Sequence, residues 1–163
     1  MSDLTDFERR VLDACLAGDD PKLAVLRLQA EVASVAGREH TGTGAYITLA
    51  VPPTAPVLEP GAIVIGDVDL KIAGVPEGVA TLLYAYEGTL RFIEIAAYEG
   101  EWPEDPEILG IGYLQEIPIA GDAYSLVPVD TRHAETVARS LSVRGAPDDT
   151  QSAIPPVDPG AAG

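Results

Sequence analysis

Residues 86–116 read YEGTLRFIEIAAYEGEWPEDPEILGIGYLQE, in which two runs of strand-forming apolar residues flank an acidic, proline-containing turn. The pair Glu87-Gly88 predicts a tight hairpin that joins a strand over 79–86 to a strand over 90–97. A further strand is predicted over 108–117. We therefore expect the turn to link neighbouring strands of one sheet. It also brings negative charge and the single Trp of the chain to one place.

Two helices are predicted before the first strand. The first spans 4–17 and ends at Gly18, and its apolar side chains recur at helical spacing. The residues of that apolar face are Leu4, Phe7, Val11 and Cys15. A cysteine at such a position usually acts as a small buried apolar residue. Asp20-Pro21 predicts the start of the second helix, because an acidic N-cap followed by proline is a favoured order, and Gly37 predicts its end near residue 36.

The period changes after Gly37, and the remaining segments favour strands separated by Gly and Pro. They span 46–51, 63–72, 79–86, 90–97 and 108–117, with a possible edge segment over 119–129. This order predicts an α+β fold in which two N-terminal helices pack on one face of an antiparallel meander sheet of about five strands. We expect a single domain over 1–130, a short C-terminal helix over 131–144, and a disordered tail over 145–163, which is poor in large apolar residues.

Charge restricts the partners. The chain has 26 Asp and Glu against 10 Lys and Arg, a formal net charge of −16, and residues 92–131 contain neither Lys nor Arg. Such a charge repels nucleic acids and anionic lipids. No apolar run approaches the roughly 20 residues that span a bilayer, and the first residues, MSDLTDFE, lack the basic region of a signal peptide. We expect a cytoplasmic protein with a basic protein partner, if it has a macromolecular partner, and we leave its oligomeric state open.

Five short segments, taken in their order along the chain, carry a family resemblance. They are Leu23-x-x-Leu-Arg-Leu-Gln29, Arg38-Glu-His-Thr-Gly-Thr-Gly-Ala-Tyr46, Ile65-Gly-Asp-Val68, and residues 78–83 and 88–103. Together they resemble a group of small, uncharacterised bacterial proteins that combine an N-terminal helical pair, a Thr-Gly-x-Gly-aromatic strand, a Gly-Asp-Val strand and an acidic Trp-Pro turn. The resemblance implies that fold and no activity. This chain departs from the group at Ala45-Tyr46 and at residues 95–97.

No motif predicts a cofactor or a metal. The Thr41-Gly-Thr-Gly44 loop follows a helix and opens a strand, whereas a phosphate-binding loop follows a strand and opens a helix. His40 and His133 have no local ligand spacing to each other or to Cys15. Asp67 and Asp69 share one predicted strand face, where they are expected to be solvated charges rather than cation ligands.

An enzyme is not predicted, although the chain has enough acids to supply an acid and a base. The candidates are Glu87, Glu94, Glu99, Glu101 and Glu104. Glycosidase-like chemistry needs a deep cleft that separates the two pKa values by burial. Acids on a Gly- and Pro-rich turn are expected to stay solvated. No Gly-x-Ser-x-Gly motif for a nucleophilic serine is present.

Two functions from different classes remain, beside a third possibility of a purely structural or assembly role. The first is binding of a basic protein, for example as an immunity-type inhibitor, through the acidic turn. Its predicted contact residues are Glu99, Glu101, Trp102, Glu104, Asp105 and Glu107. Trp102 is either a buried residue that covers the end of the core or an exposed anchor for the partner. The alternative is an apolar pocket for a small molecule or lipid, lined by Tyr84, Tyr86, Phe92 and Tyr98.

Overall fold

A computed structural model describes residues 1–142, so the predicted tail at 145–163 lies outside the described residues. Within this range the chain forms helices α1 and α2, strands β1 to β8, and helix α3. Their bounds are α1 Asp6–Leu16, α2 Pro21–Val32, β1 Ser34–His40, β2 Gly44–Ala50, β3 Ala62–Ile65, β4 Val68–Ile72, β5 Val75–Tyr86, β6 Thr89–Ala97, β7 Ile108–Pro118, β8 Tyr124–Val129 and α3 Ala134–Ser140.

The strands form one antiparallel sheet on which α1 and α2 pack, so the predicted α+β fold is confirmed. Across the described residues the sheet has eight strands rather than about five. Seven of them follow the order β1-β2-β6-β5-β4-β7-β8, and β3 lies off this path and pairs with β5. Strand β5 is long enough to pair with β4 through its first half and with β3 through its second half. The predicted segment 63–72 is therefore two strands, and the edge segment predicted over 119–129 contains β8.

The second helix is shorter than predicted. It ends at Val32, and residues that we assigned to its last turn begin β1. Val32 and Val35 fit a helical period, which is why the sequence suggested continuation. Val35 instead exchanges two backbone hydrogen bonds with Ser2, at 3.0 and 2.7 Å, and its strand pairs with β2. Sheet pairing therefore overrides the local helical pattern here.

The expected adjacency of the strands on either side of the acidic turn is wrong. Strands β6 and β7 are separated in the sheet by β5 and β4. Strand β4 pairs with β5 along one edge and with β7 along the other. Residues 98–107, here called the acidic crossover, therefore pass across the end of the sheet. The Tyr98 N–H donates to the Gly78 carbonyl at 3.2 Å, and the Glu107 carbonyl accepts from the Ala73 N–H at 2.9 Å.

The helices are positioned by their caps and by one buried amide. The Thr5 hydroxyl and the Glu8 carboxylate form a capping box at the start of α1, and Asp20 caps α2 before Pro21, as predicted. Gln29 of α2 is completely buried. Its amide nitrogen donates to the Pro56 and Gly88 carbonyls, each at 2.8 Å, and its oxygen accepts from the Leu90 N–H at 2.9 Å. The side chain thereby fixes α2 to the β5–β6 turn.

The core lies between the helices and the sheet. Its completely buried side chains include Leu12, Leu23, Leu26, Leu70 and Ile93, and Val137 and Leu141 extend it to α3. The structured part of the chain therefore continues past residue 130, to at least Leu141. Cys15 is completely buried, as predicted, and burial raises the pKa of its thiol to about 12.

One buried ion pair joins three elements. Arg132 donates to both carboxylate oxygens of Asp67, at 2.9 and 2.6 Å, and the two side chains are 9% and 3% exposed. The same guanidinium donates to the Cys15 and Ala17 carbonyls at the end of α1, at 2.8 and 2.6 Å, and lies 5.1 Å from the Tyr113 ring. Our expectation that Asp67 is a solvated surface charge is wrong, because its carboxylate is buried against Arg132. The sequence pattern did not reveal this pair, because Arg132 lies 65 residues away from Asp67 in sequence.

Arg132→Met tests how much this ion pair contributes to the free energy of unfolding. It leaves the Asp67 carboxylate buried without a cation, which we expect to lower the free energy of unfolding by about 3–5 kcal/mol in urea titrations. The matched control is Lys71→Met, because Lys71 pairs with Asp69 at 3.4 Å with its own side chain 60% exposed, and a loss below about 1 kcal/mol is expected there. Similar small losses in both variants would contradict the assignment.

Candidate functional site

Trp102 lies at the centre of the acidic crossover and is buried, with 6% of its surface exposed. Its ring centroid is 5.9 Å from that of Phe7 on α1. Its backbone N–H donates to the Gly42 carbonyl at 3.0 Å. Its own carbonyl lies 3.3 Å from His40 Nε2. Of the two predicted roles, the structure shows the buried one. Trp102 covers the end of the core between α1 and the β1–β2 turn and is not an exposed anchor.

The acids of the crossover face the opposite way. Five carboxylates are exposed, and they are Glu99, Glu101, Glu104, Asp105 and Glu107. Among residues 1–142, none of the ion pairs involves any of these acids. The buried indole and the backbone bonds at both ends hold the segment in place. The crossover therefore presents fixed negative charge to solvent without internal compensation.

A cleft of about 410 Å³ lies beside the crossover, between the start of α1 and the edge of the sheet. Its apolar lining residues are Phe7, Ala45, Ile47, Trp102 and Pro106. Its acidic lining residues are Glu8, Glu39, Glu104 and Asp105. Sequence reasoning identified the acids of the crossover but not the cleft, because residues from α1, β1 and β2 complete it.

Arg38 is the cation that lines this cleft, and its charge is already compensated. Its guanidinium donates to both Glu8 carboxylate oxygens, at 2.6 and 2.9 Å, and also to Ser2 Oγ and the Asp3 carbonyl. Burial alone would raise the pKa of Glu8, but the hydrogen bonds from Arg38 and from the Thr5 backbone, with the Arg38 charge, lower that pKa below its ordinary value. The remaining acids give the cleft a negative potential.

The four aromatic residues predicted to line an apolar pocket are not brought together. Tyr84 and Phe92 stack at 4.2 Å, and Phe92 also stacks on Tyr46 at 4.5 Å, a residue that sequence reasoning missed. This row lies on the sheet face away from the helices, since Ile47 and Ile93, its strand neighbours, point into the core. Tyr86 and Tyr98 are 40% and 63% exposed, at opposite ends of the β5–β6 hairpin and about 30 Å apart at the strand rise per residue.

Two residues of that outer face have shifted pKa values. Burial, followed by the nearby charges of Glu94 and Glu39, raises the pKa of Tyr46 to about 12. Burial also raises the pKa of the Glu94 carboxyl. The other carboxylates weighed for acid and base roles lie elsewhere, since Glu87 is at the hairpin turn and the rest are on the crossover.

The remaining candidates have structural partners. Residues 41–44 form the β1–β2 turn, in which Gly42 adopts a positive φ of 87°. His133 Nδ1 lies 2.9 Å from Thr136 Oγ1 in the first turn of α3. Across the described residues, no group of three His, Cys, Asp or Glu side chains is arranged to hold a metal ion. None of the helices within residues 1–142 has the length and apolar character needed to cross a membrane.

Neither the family models nor the curated proteins nor the solved structures contain a match to this chain. Its function is therefore inferred from its own geometry.

The burial of Trp102 predicts a spectroscopic signature. Since it is the single Trp, native fluorescence should show the blue-shifted emission of a buried indole and weak quenching by acrylamide, with a red shift on unfolding. Trp102→Ala is expected to lower the free energy of unfolding by about 3–5 kcal/mol. Trp102→Phe is expected to lower it by less, because the phenyl ring fills part of the space that the indole leaves. Strong acrylamide quenching in the folded protein would show that the indole is exposed.

The Glu8–Arg38 pair predicts a pH dependence of stability. Because the folded-state pKa of Glu8 is lowered, its stabilisation is present above the ordinary Glu pKa and is lost as the pH falls through the folded pKa. Glu8→Gln should reduce the free energy of unfolding at pH 7 by about 1–3 kcal/mol, and the difference from the parent should shrink in acid. The exposed Glu31→Gln is the control, and its effect on the free energy of unfolding at pH 7 should be small. A pH-independent loss in Glu8→Gln would contradict the assignment.

Proposed function

We propose that this protein is a non-enzymatic, acidic, cytoplasmic protein that binds a basic protein partner through the acidic crossover. One observation carries the proposal: five carboxylates are exposed on a segment whose centre is fixed by a buried indole, and no ion pair among the described residues neutralises them. Inhibition of a basic toxin or nuclease, as by an immunity-type protein, is the specific form we propose. Bacterial origin, which the family resemblance implies, is part of the same proposal.

The rigidity of the crossover supports this use. Backbone hydrogen bonds at Tyr98, Trp102 and Glu107 fix both ends and the centre of the segment. A partner therefore meets a segment whose backbone is already in position, and less conformational entropy is lost on binding. Complementary charge also steers the approach of a basic protein and raises its association rate. Trp102 supports this surface from beneath.

A small-molecule ligand is the second candidate, and the cleft of about 410 Å³ is the observation that favours it. The apolar floor and acidic rim suit a ligand with an aliphatic or aromatic body and a cationic group. This candidate replaces the predicted pocket of Tyr84, Tyr86, Phe92 and Tyr98 with different residues. It predicts binding of free amines of that type in the absence of any protein partner.

Charge reversal on the crossover tests the proposed function. Glu101→Lys, Glu104→Lys and Asp105→Lys are combined, and the control combines Asp13→Lys, Asp19→Lys and Asp122→Lys, which are exposed acids outside the crossover with the same total change in charge. For a basic partner isolated from the native host, we expect the crossover variant to associate at least about tenfold more slowly than the control. The parent rate should fall steeply with added salt. Equal association rates for the two variants, or a parent association rate that does not change with salt, would contradict the proposal.

A further inference from the structure

Strand β1 is a terminal strand of the sheet, and part of its outer edge is free. In antiparallel strands, hydrogen-bonded residue pairs alternate with pairs whose N–H and C=O groups point away from the partner strand. The Thr41 N–H donates to the Gly44 carbonyl at 3.0 Å. Counting back from this bond, Glu39 is hydrogen-bonded to Tyr46 of β2, whereas the N–H and C=O groups of Arg38 and His40 point outward.

Val35 confirms this alternation independently. The same count, with the bulge between Val35 and Gly37, directs the backbone groups of Val35 outward. There they exchange hydrogen bonds with Ser2. Beyond that contact, the outward N–H and C=O groups of Arg38 and His40 form no hydrogen bond within residues 1–142. This edge therefore offers two donors and two acceptors in strand geometry.

The cleft lies directly beside this edge. The side chains of Arg38 and His40 line it, as do Ala45 and Ile47, their paired residues on β2. An extended segment added antiparallel to β1 would have alternate side chains over the cleft, since directly opposed residues share a face. Each of those side chains would belong to a residue whose own N–H and C=O face β1.

Charge selects the occupant. Three carboxylates face the cleft, those of Glu8, Glu104 and Asp105, because the Glu39 side chain shares the outer sheet face with its paired residue Tyr46. The single guanidinium at the cleft is already neutralised by Glu8. A Lys or Arg side chain fits such a site, because its aliphatic stem covers the apolar floor while its charged end reaches the rim acids Glu104 and Asp105. A second copy of this chain, with its net charge of −16, would be repelled at this face.

We propose that β1 and the cleft bind an extended basic segment of the partner as an additional antiparallel strand, with Lys or Arg side chains in the cleft. The inference rests on the proposed function and specifies its partner. It adds backbone pairing with Arg38 and His40 to the attraction by the crossover. All the strand pairs within the described sheet are antiparallel, which is the arrangement we assign to the added strand.

The test uses four capped hexapeptides with the full-length protein, monitored by amide NMR. They are Lys-Val-Lys-Val-Lys-Val, the same sequence N-methylated at the Lys amides, the same sequence N-methylated at the Val amides, and Glu-Val-Glu-Val-Glu-Val. We expect the first and third peptides to bind and to slow hydrogen exchange at the Arg38 and His40 amides by at least about tenfold. The second should not bind, because its Lys residues cannot donate to β1, and the acidic peptide should be repelled.

Variants separate this inference from the proposed function. Glu104→Lys with Asp105→Lys should weaken binding of the first peptide, whereas Asp19→Lys with Asp122→Lys should not. If both N-methylated peptides bind as well as the parent peptide, the attraction is purely electrostatic, and the added strand is overturned while the proposed function stands. Three other results would also overturn the added strand. They are loss of binding on methylation of the Val amides instead of the Lys amides, equal binding of the acidic peptide, and no binding by any peptide.

Discussion

The buried pairing of Arg132 with Asp67 is the interaction on which the rest of the structure depends. It connects the start of β4, the end of α1 and the segment before α3, which are distant in sequence. Two desolvated charges are costly unless their remaining hydrogen-bonding groups are satisfied. Here the carboxylate is bonded through both oxygens, and the guanidinium also caps α1. The pair thereby fixes where α1 ends on the sheet, and so where its first turn meets Trp102.

The placement of α1 determines the candidate site. Its first turn carries Phe7 against Trp102 and Glu8 against Arg38, so one helix end shapes both the floor and the charge of the cleft. The crossover passes over this end with its apolar residue inward and its acids outward. Burial and charge are thus separated along a single short segment. That separation allows a strongly acidic surface to lie directly above a closed core.

Local signals predicted the elements whose causes are local. The Asp20-Pro21 start of α2 and the Glu87-Gly88 turn, whose two residues have positive φ values of 51° and 78°, are set by neighbouring residues. Strand β1 was missed because Val32 and Val35 continue a helical period, and only pairing with β2 and Ser2 distinguishes the two structures. The neighbours of β7, the burial of Asp67 and the cleft depend on contacts between distant segments, which a pattern along the chain does not encode.

The long separation between Arg132 and its partners has a consequence for the order in which the chain folds. Closure of long loops slows folding relative to local contacts, and the bonds from Arg132 to the end of α1 span about 115 to 118 residues. During synthesis, α1, α2 and all eight strands of the described sheet leave the ribosome before Arg132 does. Until then, Asp67 has no cation and the last carbonyls of α1 lack this cap. These groups stay hydrated until then, and the final packing of α1 on the sheet is completed only when the segment that carries Arg132 arrives.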